Sequence, residues 1–162
     1  MEQFSTAQEY VFEKFGLHCA GLLTEPESAA YEACRFRLND RVVVFRAAKI
    51  TPLKTGQFVT IWKRDADGLT APFDLSDGID LFVIAVSNGN RLGQFVFPAA
   101  QFHKQGIISG SGKKGKRGIR VYAPWDATES PQAKRTQQWQ CRFFLEIPVA
   151  LPALVEELYL SA

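Results

Sequence analysis

The sequence predicts an α+β fold: a mostly antiparallel, twisted sheet flanked by N- and C-terminal helices. Three observations carry this. Strand-like runs are joined by two short turn signals, Asn39-Asp40 and Ser87–Asn90. Helix-capping signatures lie toward both ends, at Ser5–Gln8 and at Ser130-Pro131. The 162 residues contain neither an internal repeat nor an interdomain linker, so a single domain spans 1–162.

In chain order, Ser5–Gln8 reads as a capping box. Tyr10, Val11, Phe15 and Leu17 form the stripe of the helix it opens, and Gly16 ends it. Thr24–Glu27 caps a second, short helix, with Pro26 in its first turn. Ala33–Leu38 and Arg41–Lys49 form a hairpin around Asn39-Asp40. Gly56–Arg64 is a third strand, with Phe58, Thr60, Trp62 and Arg64 on one face and Val59 and Ile61 on the other. Asp65–Asp77 is an acidic loop, and Asp80–Val86, the most apolar run, is a central strand. The turn Ser87–Asn90 leads into Leu92–Phe97. Pro98–Gln105 is one or two helical turns, Ile107–Ile108 a short strand, and Ser109–Gly118 a flexible basic loop. Ile119–Ala123 is a strand with Arg120 and Tyr122 on one face. Gln132–Phe144 is a helix capped by Ser130, and Pro148–Leu160 is a C-terminal helix broken at Pro152.

Charge is segregated along the chain. Residues 1–32 are acidic, 33–64 basic, 65–80 acidic, and 101–120 basic without a single acid. Such blocks imply a positive surface for an anionic partner, unless the basic blocks meet the acidic ones in the fold. The longest apolar run, Leu81–Val86, is far too short for a membrane span, and Met1–Thr6 has no signal-peptide pattern. A cytoplasmic location is therefore expected. Cys19, Cys34 and Cys141 fit this as buried free thiols.

The candidate site centres on Phe45–Arg64, which contains no acid and carries Arg46, Lys49, Lys54 and Arg64. Arginine forks match phosphate oxygens bidentately, and lysines supply point charge. Arg120 joins this group from its own strand. The loop residues Lys113, Lys114, Lys116 and Arg117 extend it, and Trp62, Tyr122 and Trp125 are candidate stacking platforms for bases. Core packing is the competing reading for both tryptophans, and a solvated loop for Lys113–Arg117.

Other chemistries find less support. Gly110-Ser-Gly-Lys113 is no P-loop, because Lys114 stands where Ser or Thr is required. A metal-dependent nuclease of the restriction type needs Asp/Glu-x-Lys, and the chain contains none; Ala47 occupies the position before Lys49. Asp74, Asp77 and Asp80 could bind a metal, but caps, turns and ion pairs explain them more simply. Only His18 and His103 are available for zinc, without C-x-x-C, so neither metal nor cofactor is expected. No G-x-S-x-G motif occurs. Gln137 and Gln140 share a helix face, read as solvent-exposed.

The blocks FRAAKITPLKTGQFVTIWKR (45–64), FDLSDGIDLFVI (73–84), GQFVFP (93–98), GKRGIRVYAPWD (115–126) and QAKRTQQWQCRFF (132–144) resemble the MepB-like family. The resemblance covers residues 31–145 and implies one MepB-like domain of cytosolic, α+β type. The family takes its name from a bacterial member encoded beside a multidrug efflux pump and its regulator. It brings no accepted catalytic set, and nucleic-acid binding is one suggestion associated with it.

The leading expectation is a binding protein for phosphate-rich ligands, nucleic acid (DNA or RNA) or nucleotide foremost, acting through the sheet face and the Gly/Lys loop. The first alternative is a metal-dependent enzyme acting on a nucleotide or polynucleotide through Asp80 with Lys49 or Lys54. The second is a small-molecule binder linked to drug resistance.

Overall fold

Leu81–Val86 is buried at every position, which requires cover on both faces of its strand. The computed structural model, which describes residues 1–161, shows how that cover is built. The chain opens with helix α1 (Glu2–Ala7), which widens into a π-helical segment over Gln8–Glu13. Strand β1 (Cys19–Thr24) and a 3₁₀ turn (Pro26–Tyr31) lead to β2 (Cys34–Leu38) and β3 (Arg41–Ala47). Short strands follow: β4 (Lys49–Ile50), β5 (Gln57–Thr60), β6 (Trp62–Arg64) and β7 (Thr70–Pro72). Then come β8 (Leu81–Asn88), β9 (Arg91–Pro98), helix α2 (Ala99–Lys104) and β10 (Gly118–Val121). Helix α3 (Pro131–Gln140), β11 (Phe144–Ile147) and α4 (Pro152–Leu160) complete the domain.

The main sheet has the order β1-β2-β3-β8-β9-β11. Only β3 and β8 run parallel; the other neighbours are antiparallel. Alternation along β8 sends Leu81, Val83 and Ala85 to one core, where Phe4, Val11 and Phe12 of the N-terminal helix meet Val155, Leu158 and Tyr159 of α4. Phe82, Ile84 and Val86 face a second core with Val59, Ile61, Phe73, Phe102, Ile119 and Val121. That second layer is a three-stranded sheet ordered β10-β5-β4. The α+β class, the mostly antiparallel sheet and the flanking terminal helices therefore match the sequence expectation.

Both predicted tight turns form. Leu38 pairs with Arg41 across Asn39-Asp40, and Asn88 with Arg91 across Gly89-Asn90. Ser130 caps α3 by accepting from the amide of Ala133 at 3.0 Å. Several expectations need correction. Helix α1 starts at Glu2, and Ser5 Oγ donates to Met1 O at 2.9 Å instead of capping. The strand expected over Gly56–Arg64 breaks at Ile61 into β5 and β6, which join different sheets. Ile107–Ile108 is buried but forms no strand. The acidic loop contains β7 and a 3₁₀ turn, Leu75–Asp77. The helix expected over Gln132–Phe144 stops at Gln140, and Phe144 begins the edge strand β11. Pro152 starts α4 rather than breaking it, since a first-turn proline forgoes no intrahelical bond.

The three cysteines are free, and burial pushes the Cys34 thiol up to about 12. No helix among the described residues is long and apolar enough to cross a membrane.

Candidate functional site

The basic residues divide by what they pair with. Arg46 is fully buried on β3, and its Nη2 meets Glu25 Oε2 at 2.9 Å. Its Nη1 donates to its neighbour's carbonyl, Phe45 O, at 3.0 Å. Burial draws the guanidinium's pKa down, and the Glu25 carboxylate pushes it back up. Arg64 lies 3.7 Å from Glu27, donates to Gly68 O at 2.9 Å and stacks 5.5 Å from the Trp62 ring. Lys63 pairs with Asp77, and Arg35 lies 3.9 Å from Glu25. Arg35, Lys63 and Arg64, with Glu25, Glu27 and Asp77, line a cleft of about 650 Å³ beside Trp62, whose charges largely compensate one another. Arg46, Arg64 and Trp62 thus belong to a balanced network joining acidic and basic blocks.

The other cations of the expected site find no such partner. Among the described residues, Lys49, Lys54, Lys113, Lys114, Lys116, Arg117 and Arg120 have no carboxylate within ion-pair distance. Their placement follows from the small sheet. Lys49 and Arg120 both pair with Phe58, from opposite sides. Residues directly opposite in a ladder project to the same face, so Lys49, Phe58 and Arg120 form one row. Val59, Ile119 and Val121 fill the core behind it. Lys49 Nζ sits 4.9 Å above the Tyr31 ring, a cation–π contact that leaves its charge uncompensated.

Arg120 crosses a groove between β10 and α3. The larger arm, about 410 Å³, is lined by Lys116, Arg120, Tyr122, Gln132, Thr136 and Trp139 among others. The smaller, about 260 Å³, adds Lys54, Thr55, Thr128 and the acidic Glu129. Arg120 and Tyr122 line both arms, so Lys54, Lys116, Arg120 and Tyr122 are brought together. Trp125 is not among them: Arg91 covers its ring at 4.6 Å and Phe144 packs edge-on at 5.4 Å.

The loop from Ser109 to Gly118 was expected to be flexible, and its backbone is instead tied down. Gly110 and Lys113 exchange amide bonds at 3.0 Å around Ser111-Gly112, both at positive φ as a two-residue hairpin requires. Ser109 bonds on both sides to the Phe73–Leu75 segment, and Lys116 N donates to Ile107 O at 2.8 Å. A Cβ on Gly115 would lie 2.4 Å from Ile107 O, so only glycine fits there. Arg117 donates to Thr70 O at 3.1 Å. Lys113, Lys114 and Lys116 are thus exposed side chains on an anchored backbone.

The face carrying Gln137 and Gln140 points inward, contrary to the exposed reading. Gln140 is buried; its Nε2 donates to Arg120 O at 3.0 Å and its Oε1 accepts from Tyr122 N at 2.8 Å. It serves the outer edge of β10 as a neighbouring strand would. Gln137 binds Ala123 O, Asp126 O and Thr128 Oγ1 in the same manner. Gln132, Thr136 and Trp139, absent from the expected site, line the groove. Their i, i+4, i+7 spacing places them on one helical face, a signal present in the sequence.

The pairing of Asp80 with Lys49 or Lys54 does not assemble. Asp80 Oδ2 accepts from Val42 N at 2.8 Å, at the start of β3, while Lys49 follows its far end. Seven residues of extended chain separate them by about 20 Å. Asp74 and Asp77 form a capping box around the 3₁₀ turn, which occupies both carboxylates. Among the described residues, no three His, Cys, Asp or Glu side chains converge to hold a metal ion.

The MepB-like family model matches residues 25–146. The crystal structure of MepB superposes with a TM-score of 0.78 at 31% identity, covering 91% of this chain and 98% of that one. A bacterial homing endonuclease overlaps at a TM-score of 0.43 and 14% identity, covering 88% and 91% of the two chains, a likeness too loose to bear on function. No curated protein matches. On the family match and the MepB superposition together, the chain belongs to the MepB-like family.

Proposed function

We propose that this protein binds phosphate-rich ligands, nucleic acid foremost, through the outer face of the β10-β5-β4 sheet and the groove between β10 and α3. The observation that carries this reading is the row Lys49–Phe58–Arg120, whose cations have no carboxylate partner. Charges left uncompensated beside one another repel, and a multivalent anion relieves that repulsion. Lys49 and Arg120 stand two strand spacings apart, about 10 Å. Successive phosphates of a polynucleotide backbone can follow a row of that length. Lys54, Lys116 and the anchored lysines of the 113–117 segment extend the track, and Tyr122 offers a ring face within it.

Amide chemical-shift mapping with short DNA and RNA duplexes and single strands tests the reading. Shifts should concentrate on Lys49, Lys54, Arg120, Tyr122 and residues 113–117. Shifts confined to the compensated cleft around Trp62, or none at low salt, would contradict it.

A further inference from the structure

Leu53 has an environment that neither folding nor solubility explains. The residue is 105% exposed, the most exposed large apolar residue among those described. Its φ is +63°, in the left-handed region that a leucine enters only under strain. Glycine or asparagine is the usual occupant of such a position.

The turn that carries it is held in place. Pro52 fixes the preceding φ. Arg120 clamps both ends, with Nη2 donating to Thr51 Oγ1 at 2.9 Å and Nη1 to Thr55 O at 3.2 Å. At the exit, a Cβ on Gly56 would come within 2.7 Å of the Tyr122 ring, so the turn lies against that side chain. Thr55, Lys54, Arg120 and Tyr122 line the smaller arm of the groove directly beneath. Ile50, 61% exposed, stands at the entry.

A rigid, strained apolar tip beside uncompensated cations has a specific use on a stacked polymer. Cations hold the backbone, and the tip enters between base steps and unstacks them. Strain retained at a position that gains nothing in the free protein marks a functional segment. Building on the nucleic-acid reading above, we infer that Leu53 is a wedge that inserts into duplex DNA and kinks it. The deformation favours flexible pyrimidine–purine steps, giving sequence preference without base-edge hydrogen bonds.

The test uses a short duplex DNA carrying 2-aminopurine beside a central TA step, whose fluorescence rises on unstacking. Parent protein should bind and brighten the probe. Leu53→Gly accepts the positive φ, so it should fold and melt at a higher temperature. It should bind about tenfold more weakly, with an unchanged salt dependence and no brightening. Leu53→Met, still apolar, should brighten the probe. If Leu53→Gly binds and brightens like the parent, the wedge is excluded while nucleic-acid binding stands. If the parent does not bind the duplex at low salt, the wedge and the reading beneath it both fall. Loss of binding to anionic lipid vesicles on Leu53→Gly, with duplex unstacking unchanged, would reassign the tip to membranes and overturn the wedge.

Discussion

Arg120 and Lys49 stand on either side of Phe58 in one row of the small sheet, so two cations without a carboxylate partner share a face. Arg120 also closes the Thr51–Thr55 turn with two of its five donors, leaving three for a ligand. One side chain therefore shapes the edge of the groove and offers charge to it.

Replacing Arg120 by Lys keeps the charge but removes the planar fork. Affinity for nucleic acid should fall by on the order of 1–2 kcal/mol, chiefly through faster dissociation. Surface-immobilised kinetics on the folded variant would measure it. Dissociation at the parent rate would show that the fork makes no ligand contact.

Arg46 has the opposite role. It is buried against Glu25, with the Phe73 ring 5.8 Å away. Arg46→Ala removes the 2.9 Å partner of the Glu25 carboxylate, leaving only Arg35 at 3.9 Å, and should cost on the order of 3–5 kcal/mol. In a urea-denaturation cycle, the double variant with Glu25→Ala should lose less than the sum of the two single changes. Strict additivity would mean that the pair is uncoupled. The folded Arg46 variant should bind nucleic acid like the parent, because its guanidinium lies outside the groove.

Asp74 gives a pH signature. Hydrogen bonds from the Ser76 amide and hydroxyl hold its carboxyl below the ordinary 3.8, with smaller help from Lys63 and His103. A depressed folded pKa stabilises the native state above the unfolded value, and that stabilisation disappears as pH falls through the folded one. The melting temperature of Asp74→Ala should lie below the parent's at about pH 6, and the gap should narrow as pH falls below the ordinary 3.8. A gap that persists undiminished into acid would assign the effect to something other than the carboxylate.

The parts legible in the sequence are those encoded locally. Asn39-Asp40 and Ser87–Asn90 announce their turns, Leu81–Val86 announces a strand covered on both faces, and Ser130-Pro131 marks the start of α3. What was missed is encoded at a distance. Strand β1 is exposed along nearly its whole length, so its Ala20–Thr24 stretch has no burial pattern to read; only its backbone pairs with β2. Nothing between Gln140 and Phe144 resembles a helix stop, and β11 is selected by its partner β9. Strand alternation places Arg46 on the face of Val44, but only the fold reveals that this face is closed and that Glu25, 21 residues earlier, lies there. Glycines around 110–118 suggested freedom, whereas Phe73, Ile107 and Thr70 fix that segment from elsewhere in the chain. The pairings that withdraw Arg46 and Arg64 from the expected site, and leave Lys49 and Arg120 on it, could not be read without the fold.

The most direct measurement is the equilibrium affinity for a short duplex as a function of salt. Each neutralised phosphate contributes a slope of about −0.9 in log K against log salt. With Lys49, Lys54, Lys116 and Arg120 along the track and Lys113, Lys114 and Arg117 at its end, affinity should fall by on the order of a thousandfold between about 50 and 200 mM salt. Replacing Lys113, Lys114 and Lys116 by Gln should flatten the slope while leaving the melting temperature unchanged. Binding that ignores salt, or no binding at the lowest salt, would contradict the account.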